Sequence, residues 1–193
     1  NTLDLNATLD NANLVIAEPF FNTIFTEIEG LVNGQFKISG ELDYPVVKGI
    51  GKIDAGRLKV NYLNTYYDFN GAISFDLDKI SLNNVKLEDQ QENIAYLSGD
   101  LLHNGFTDLF VDLKGEMNSF NVLDTKATDN SLYYGIAYVS GNVSFYGPAS
   151  NLVIEANARS DKGTKLFIPV ESTSSVQQEE YIHFINVKDT ADQ

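Results

Sequence analysis

The side chains able to do chemistry in this sequence are few and poorly placed for it. Its only histidines are His103 and His183, and it has no cysteine. That excludes disulfides, thiolate zinc sites and a cysteine nucleophile, and two separate histidines make no metal-ligand cluster. Asp76-Leu77-Asp78 sets two carboxylates on one face of an extended stretch, and Glu88-Asp89 lies in a polar turn. Paired carboxylates hydrolyse glycosides when they face each other across a cleft, but these sit among solvated residues. The run Asp76-Leu77-Asp78-Lys79 lacks the glycine and the bidentate glutamate of a calcium loop. No serine stands in a Gly-x-Ser-x-Gly elbow, and Gly49-Ile50-Gly51 opens no helix that would make it a dinucleotide loop. Tyr67, Phe69 and Phe75 could stack on sugars or bases, although aromatic residues on an apolar strand face ordinarily pack. The expectation is a protein without enzymatic activity, metal or cofactor.

Charge narrows the partners. Lys and Arg number 13 against 27 Asp and Glu, a formal net charge of −14. Phosphate recognition needs the opposite sign, so nucleic acid is excluded as a partner. An anionic membrane surface would repel the chain as well, and the plain consequence of the acid excess is solubility. No apolar run approaches the length of a transmembrane helix. The sequence opens on Asn1, and Leu3, Leu5, Ala7 and Leu9 already alternate as a strand. With no Pro/Ser linker and no break in composition, residues 1–193 read as one continuous segment cut from a longer protein.

The elements that would position any site are strands. Tyr133–Pro148 shows the pattern: Val139, Gly141, Val143 and Phe145 fall on one face, Ser140, Asn142, Ser144 and Tyr146 on the other. A period of two means an extended strand with one apolar face. The same face is read in Phe36 and Ile38, in Leu58 and Val60 after a shift of parity at Gly56, and in Tyr67, Phe69, Ile73 and Phe75. It continues in Leu97, in Leu109, Val111 and Leu113, in Leu152 and Ile154, and in Leu166 and Ile168. Asp10-Asn11 reads as a turn between strands 2–10 and 13–17, and Asn83-Asn84 as a hairpin turn or a bulge. Phe20, Ile24 and Ile28, with Pro19 before and Gly30 after, predict one short helix over about 20–28. Glu171–Glu180 reads as a mobile polar loop and Tyr181–Val187 as a last apolar run. Nearly all charges occupy the opposite faces, as do Asn70, Ser74, Asn142 and Ser144, and added charge at Asn142 or Asn70 should be tolerated. A sheet with one greasy face must curl on itself, pack against a second sheet, or close. Repeated glycines on the apolar face permit sharp curvature.

Several stretches, in order, resemble the C-terminal region of the TamB family, large AsmA-like proteins of Gram-negative envelopes. They are Gly34-Gln-Phe-Lys-Ile-Ser-Gly40, Tyr44-Pro-Val-Val-Lys-Gly49, Leu87-Glu-Asp89 followed by Ala95-Tyr-Leu-Ser-Gly-Asp-Leu101, Tyr133-Tyr-Gly135 running into Gly141-Asn-Val-Ser-Phe-Tyr-Gly-Pro148, and Gly163-Thr-Lys-Leu-Phe-Ile-Pro169. The resemblance implies an all-β fold, a long, curled, mainly antiparallel sheet shaped like a taco with an apolar concave face. It also implies a non-enzymatic role in the periplasm, within an inner-membrane-anchored protein that reaches the outer membrane. Phospholipid acyl chains and a TamA-type outer-membrane barrel protein are the implied partners. From the residues alone, a strand-pairing platform, a β-solenoid binding polysaccharide and a closed β-sandwich stay open beside a lipid-conducting groove.

Overall fold

The alternating runs form ten strands in a computed structural model that describes residues 2–22, 24–41, 44–105 and 107–169. They are β1 Thr2–Asn13, β2 Phe25–Glu41, β3 Tyr44–Val60, β4 Thr65–Asp76, β5 Lys79–Glu88, β6 Ile94–Asn104, β7 Thr107–Thr125, β8 Tyr134–Pro148, β9 Val153–Ser160 and β10 Lys165–Phe167. From β1 to β8 each strand pairs antiparallel with the next, and β9 and β10 both pair with β8. β9 and β10 thus form one interrupted edge strand. The interruption is tied down by Tyr138, whose carbonyl accepts from Asp161 N and whose N–H donates to Thr164 Oγ1. The architecture is a single long sheet, as expected, and no second sheet lies over it among the described residues.

The predicted helix is displaced and shortened. A 3-10 turn covers Leu14–Ala17 and the α-helix α1 covers Glu18–Phe21, while Phe25 begins β2. The spacing of Phe20, Ile24 and Ile28 fits a helix, but Phe25 and Thr26 have strand partners available in Val60 and Lys59. Strand pairing outweighs a weak local preference, and β-branched Ile24, Thr26 and Ile28 favour the extended form. Gly30, read as a helix cap, instead passes close to another strand. A Cβ there would lie 2.6 Å from Gly56 Cα. Asp10-Asn11 is likewise no turn, because β1 runs through it. The loop predicted at 171–180 and the run Tyr181–Val187 lie outside the described residues.

What Asp10-Asn11 does is repeated in every second strand. The register slips between Leu9 and Ala12 in β1, Ile53 and Gly56 in β3, Leu82 and Val85 in β5, and Met117 and Phe120 in β7. The pairs inside these slips are Asp10-Asn11, Asp54-Ala55, Asn83-Asn84 and Asn118-Ser119. The second member of each is left-handed, with φ of 51°, 51°, 50° and 49°. Each is a bulge that adds a residue and turns the strand. The amide so displaced has no ladder carbonyl, and a side chain of the following strand supplies the acceptor. Asn11 N donates to Asn33 Oδ1 at 2.7 Å, Ala55 N to Asn70 Oδ1 at 2.8 Å, Asn84 N to Ser98 Oγ at 2.9 Å, and Ser119 N to Ser140 Oγ at 2.8 Å. Ser140 in turn donates to Asp161 Oδ2, which ties this last cap to the interrupted edge.

These bonds make Asn70 more than an outward-facing residue on which any charge is tolerated. Asn70→Ala removes the acceptor for Ala55 N and is expected to cost about 1–2 kcal/mol, with Asn70→Asp retaining most of the stability. Ala55→Gly relieves the left-handed strain of a side chain and is expected to gain up to about 1 kcal/mol. Urea denaturation midpoints of the three variants check both signs.

Candidate apolar groove

Bulges restore the phase of the alternation, so apolar residues stay on one face from edge to edge. Following the Cα partners, one row runs Leu9, Gly34, Gly51, Ile73, Leu82, Gly99, Leu113, Phe145, Ile154, crossing nine strands without a polar side chain. A second runs Ala7, Phe36, Gly49, Phe75, Ile80, Leu101, Val111, Gly147. A third, from β5 onwards, runs Val85, Leu97, Gly115, Val143, Ala156. Several of the glycines in β2 and β3 are roofed by rings rather than left bare. A Cβ on Gly56 would strike the Phe69 ring at 2.7 Å, and one on Gly51 would lie 3.0 Å from Phe36 Cζ.

Most residues predicted to line this face are on it. Tyr67, Phe69 and Val111 are buried; Phe36, Ile38, Leu58, Val60, Ile73, Phe75, Leu97, Leu109, Leu113, Val139, Val143 and Phe145 are half-buried. Ile154 and Leu166 share the face but are exposed, and Leu152 and Ile168 lie just outside β9 and β10. Salt bridges such as Lys48–Asp76 at 3.0 Å and Lys79–Asp100 at 3.5 Å join exposed charges away from this face. Exposed pairs of this kind add little stability, but they keep charge off the apolar rows.

The face is filled in two places. Near the start of β2, Leu14 of the 3-10 turn packs with Ile28, Val32, Ile53, Phe69 and Val85, and Phe21 of α1 joins them. The second place is where the β5–β6 hairpin ends and its flanking strands meet beyond it. Three strand spacings of about 4.8 Å would separate β4 from β7 in a flat sheet. Instead the Tyr67 and Phe120 rings stack with centroids 4.8 Å apart, packed with Ala95. Both rings lie on the apolar face, so the sheet curls towards that face. Beyond them Tyr67 OH donates to Asn121 O at 2.7 Å, Asp124 N to Leu63 O at 3.0 Å, and Asn64 Nδ2 to Asp124 O at 2.8 Å. Burial pushes the Tyr67 phenol pKa well above its ordinary value, with the Asp89 charge adding to the shift and the Thr65 hydroxyl opposing it.

Asp89 fastens this seam. Its Oδ1 accepts from Gln91 N and Asn93 N, both at 2.9 Å, which shapes the hairpin turn. Its Oδ2 accepts from Asn121 N at 2.8 Å, which holds β7 against that turn. The other acidic pair is also structural: Asp76 ends β4 beside Lys48, and Leu77 and Asp78 form the turn into β5, where Asp78 O accepts from His103 N at 2.8 Å. His103 is buried in β6, and desolvation lowers its pKa while the Asp78 charge opposes the shift. Away from the seam and the packing around Leu14 most of the face is only half-buried, although Ile80 and Val111 of the second row are buried. No large side chain among the described residues is sealed below 2% exposure, which fits a curled single sheet and not a closed sandwich.

Phe120 and Leu14 are groove residues missing from the alternation as first read. Phe120 is out of phase with Met117 until the bulge at Ser119 is recognised, and Leu14 belongs to no strand. Among the described residues no helix is long and apolar enough to cross a membrane. A protein-family model described as the TamB C-terminal domain matches residues 83–193. No curated protein and no solved structure matches the chain.

Two outcomes test the packing. Asp89→Ala is expected to lower stability by about 2–4 kcal/mol and to raise hydrogen exchange at the Asn121 amide. His103 has a folded-state pKa below its unfolded value of about 6.5, so the unfolded chain binds more protons as pH falls through 6.5 towards the lowered pKa. Stability therefore declines with pH across that window. Urea midpoints at about pH 7.5 and about pH 5.5 should differ less in His103→Gln than in the parent protein.

Proposed function

The chain belongs to the TamB family of envelope-biogenesis proteins, and we propose that its curled apolar face shields phospholipid acyl chains in transit between the inner and outer membranes. The observation that supports this reading is the row from Leu9 to Ile154. It spans eight strand spacings, roughly 40 Å, with nothing polar projecting from it. Each methylene withdrawn from water gains about 0.8 kcal/mol, so an unbroken row offers a passing chain a nearly uniform environment. A charge in the row would add a step of a few kcal/mol. The part left open, around Leu113, Val143, Phe145 and Ile154, is where acyl chains lie. On this reading the protein acts without catalysis or cofactor, as a periplasmic segment of an inner-membrane-anchored protein, with a TamA-type barrel as its outer-membrane partner.

A second reading rests on the edge. All eight residues of β9 are exposed, and β9 pairs only with β8 among the described residues. An exposed edge can add a strand from another chain, which suits assistance to outer-membrane proteins during assembly.

Photo-crosslinkers at residues 142 and 143 separate the two. The acyl-chain reading expects lipid adducts at 143 and none at 142, and expects Val143→Asp to abolish function in the full-length protein while Asn142→Asp leaves it intact. Equal lipid labelling at both positions, or at neither, removes that reading. Protein adducts from a crosslinker on β9 would then favour strand pairing.

A further inference from the structure

At the seam, between the start of β4, the β5–β6 turn and the end of β7, a small polar cavity is lined by Asn64, Thr65, Tyr66, Asp89, Gln90, Asn121 and Asp124. The centre of a water molecule can range over about 20 Å³ there, and one water needs roughly 10–15 Å³ on that measure. Thr65 is only 5% exposed, and its Oγ1 meets no protein atom with hydrogen-bond geometry, the neighbouring Tyr67 phenol giving its proton to Asn121 O instead. A buried hydroxyl without a partner is costly, and native proteins rarely tolerate one.

We propose that this cavity is a binding site for one structural water, bonded to Thr65 Oγ1 and to oxygen atoms from across the seam. The lining is rich in oxygen and would also suit a hard cation. Asp89 decides against the cation, because its two oxygens already accept from Gln91 N, Asn93 N, Asn93 Nδ2 and Asn121 N. Few lone pairs remain for a metal, whereas a water both donates and accepts, and needs only two to four polar neighbours. The water joins β4 to β7 where no ladder exists. Thr125 supplies the contrast: its Oγ1 is also buried and unpartnered, but it does not line this cavity.

The test compares two isosteric variants of the 193-residue protein. Thr65→Val removes a hydroxyl that bonds the water, and its melting temperature is expected to fall by a few degrees. Thr125→Val removes a hydroxyl that bonds nothing, and its melting temperature is expected to hold or rise. In the parent protein, water-selective NMR should show a long-lived water contacting the Thr65 amide or methyl protons, with the signal lost in Thr65→Val. The proposal is overturned if that contact is absent, or if Thr65→Val is at least as stable as the parent. It is equally overturned if calcium added to chelator-treated protein raises the melting temperature of the parent and not of Thr65→Val, since the occupant is then a cation.

Discussion

The structure depends on one hydrogen bond made four times: the amide of a left-handed bulge residue donating to an Asn or Ser side chain on the next strand. A bulge on its own leaves an amide without a ladder partner and holds a non-glycine residue in a conformation that costs about 1–2 kcal/mol. The capping side chain answers the first penalty and pins the second in place. Because the donors lie in β1, β3, β5 and β7 and the acceptors in β2, β4, β6 and β8, each hairpin carries its own capped bulge. Without the extra residue, the half-strand beyond it would turn its apolar residues to the solvent, since a slip of one residue exchanges the two faces.

Curl and face are therefore set together. The bulges re-phase the alternation, which keeps the rows apolar from β1 to β9, and they turn the strands that carry those rows. The seam at Tyr67 and Phe120 shows how far the curl goes. Strands that are third neighbours come into contact beyond the β5–β6 turn, with Asp89 fixing the turn from beneath. The 3-10 turn and α1 fill the adjoining stretch with Leu14 and Phe21. What remains open lies towards β9, where two of the rows end in Ile154 and Ala156 at an exposed edge.

Much of this was legible in the residues, for a physical reason. A period of two survives any tertiary context in which one face is dry, so the strands and most of the apolar face could be read directly. The parity shift at Gly56 and the ambiguous Asn83-Asn84 were visible traces of bulges. Asp10-Asn11 misled because the same dipeptide chemistry serves a turn and a left-handed bulge, and only the partner strand distinguishes them. The helix over 20–28 failed for a related reason: its spacing was helical, but the ladder offered by Val60 and Lys59 lay far away in sequence. The seam could not be read at all. Asp89 looked like a solvated turn residue, and its bond to Asn121 follows from curvature rather than from any local pattern.

A bend that is complete within each hairpin also sets how such a sheet can grow. Inserting or deleting a single strand would leave a donor without its acceptor and reverse the chain direction at every later turn. Inserting or deleting a whole hairpin, bulge and cap included, disturbs neither the neighbouring bends nor the side on which the apolar residues fall. The length of the groove is thereby quantised in pairs of strands, roughly 10 Å at a time, and can be matched to a span without redesigning its cross-section.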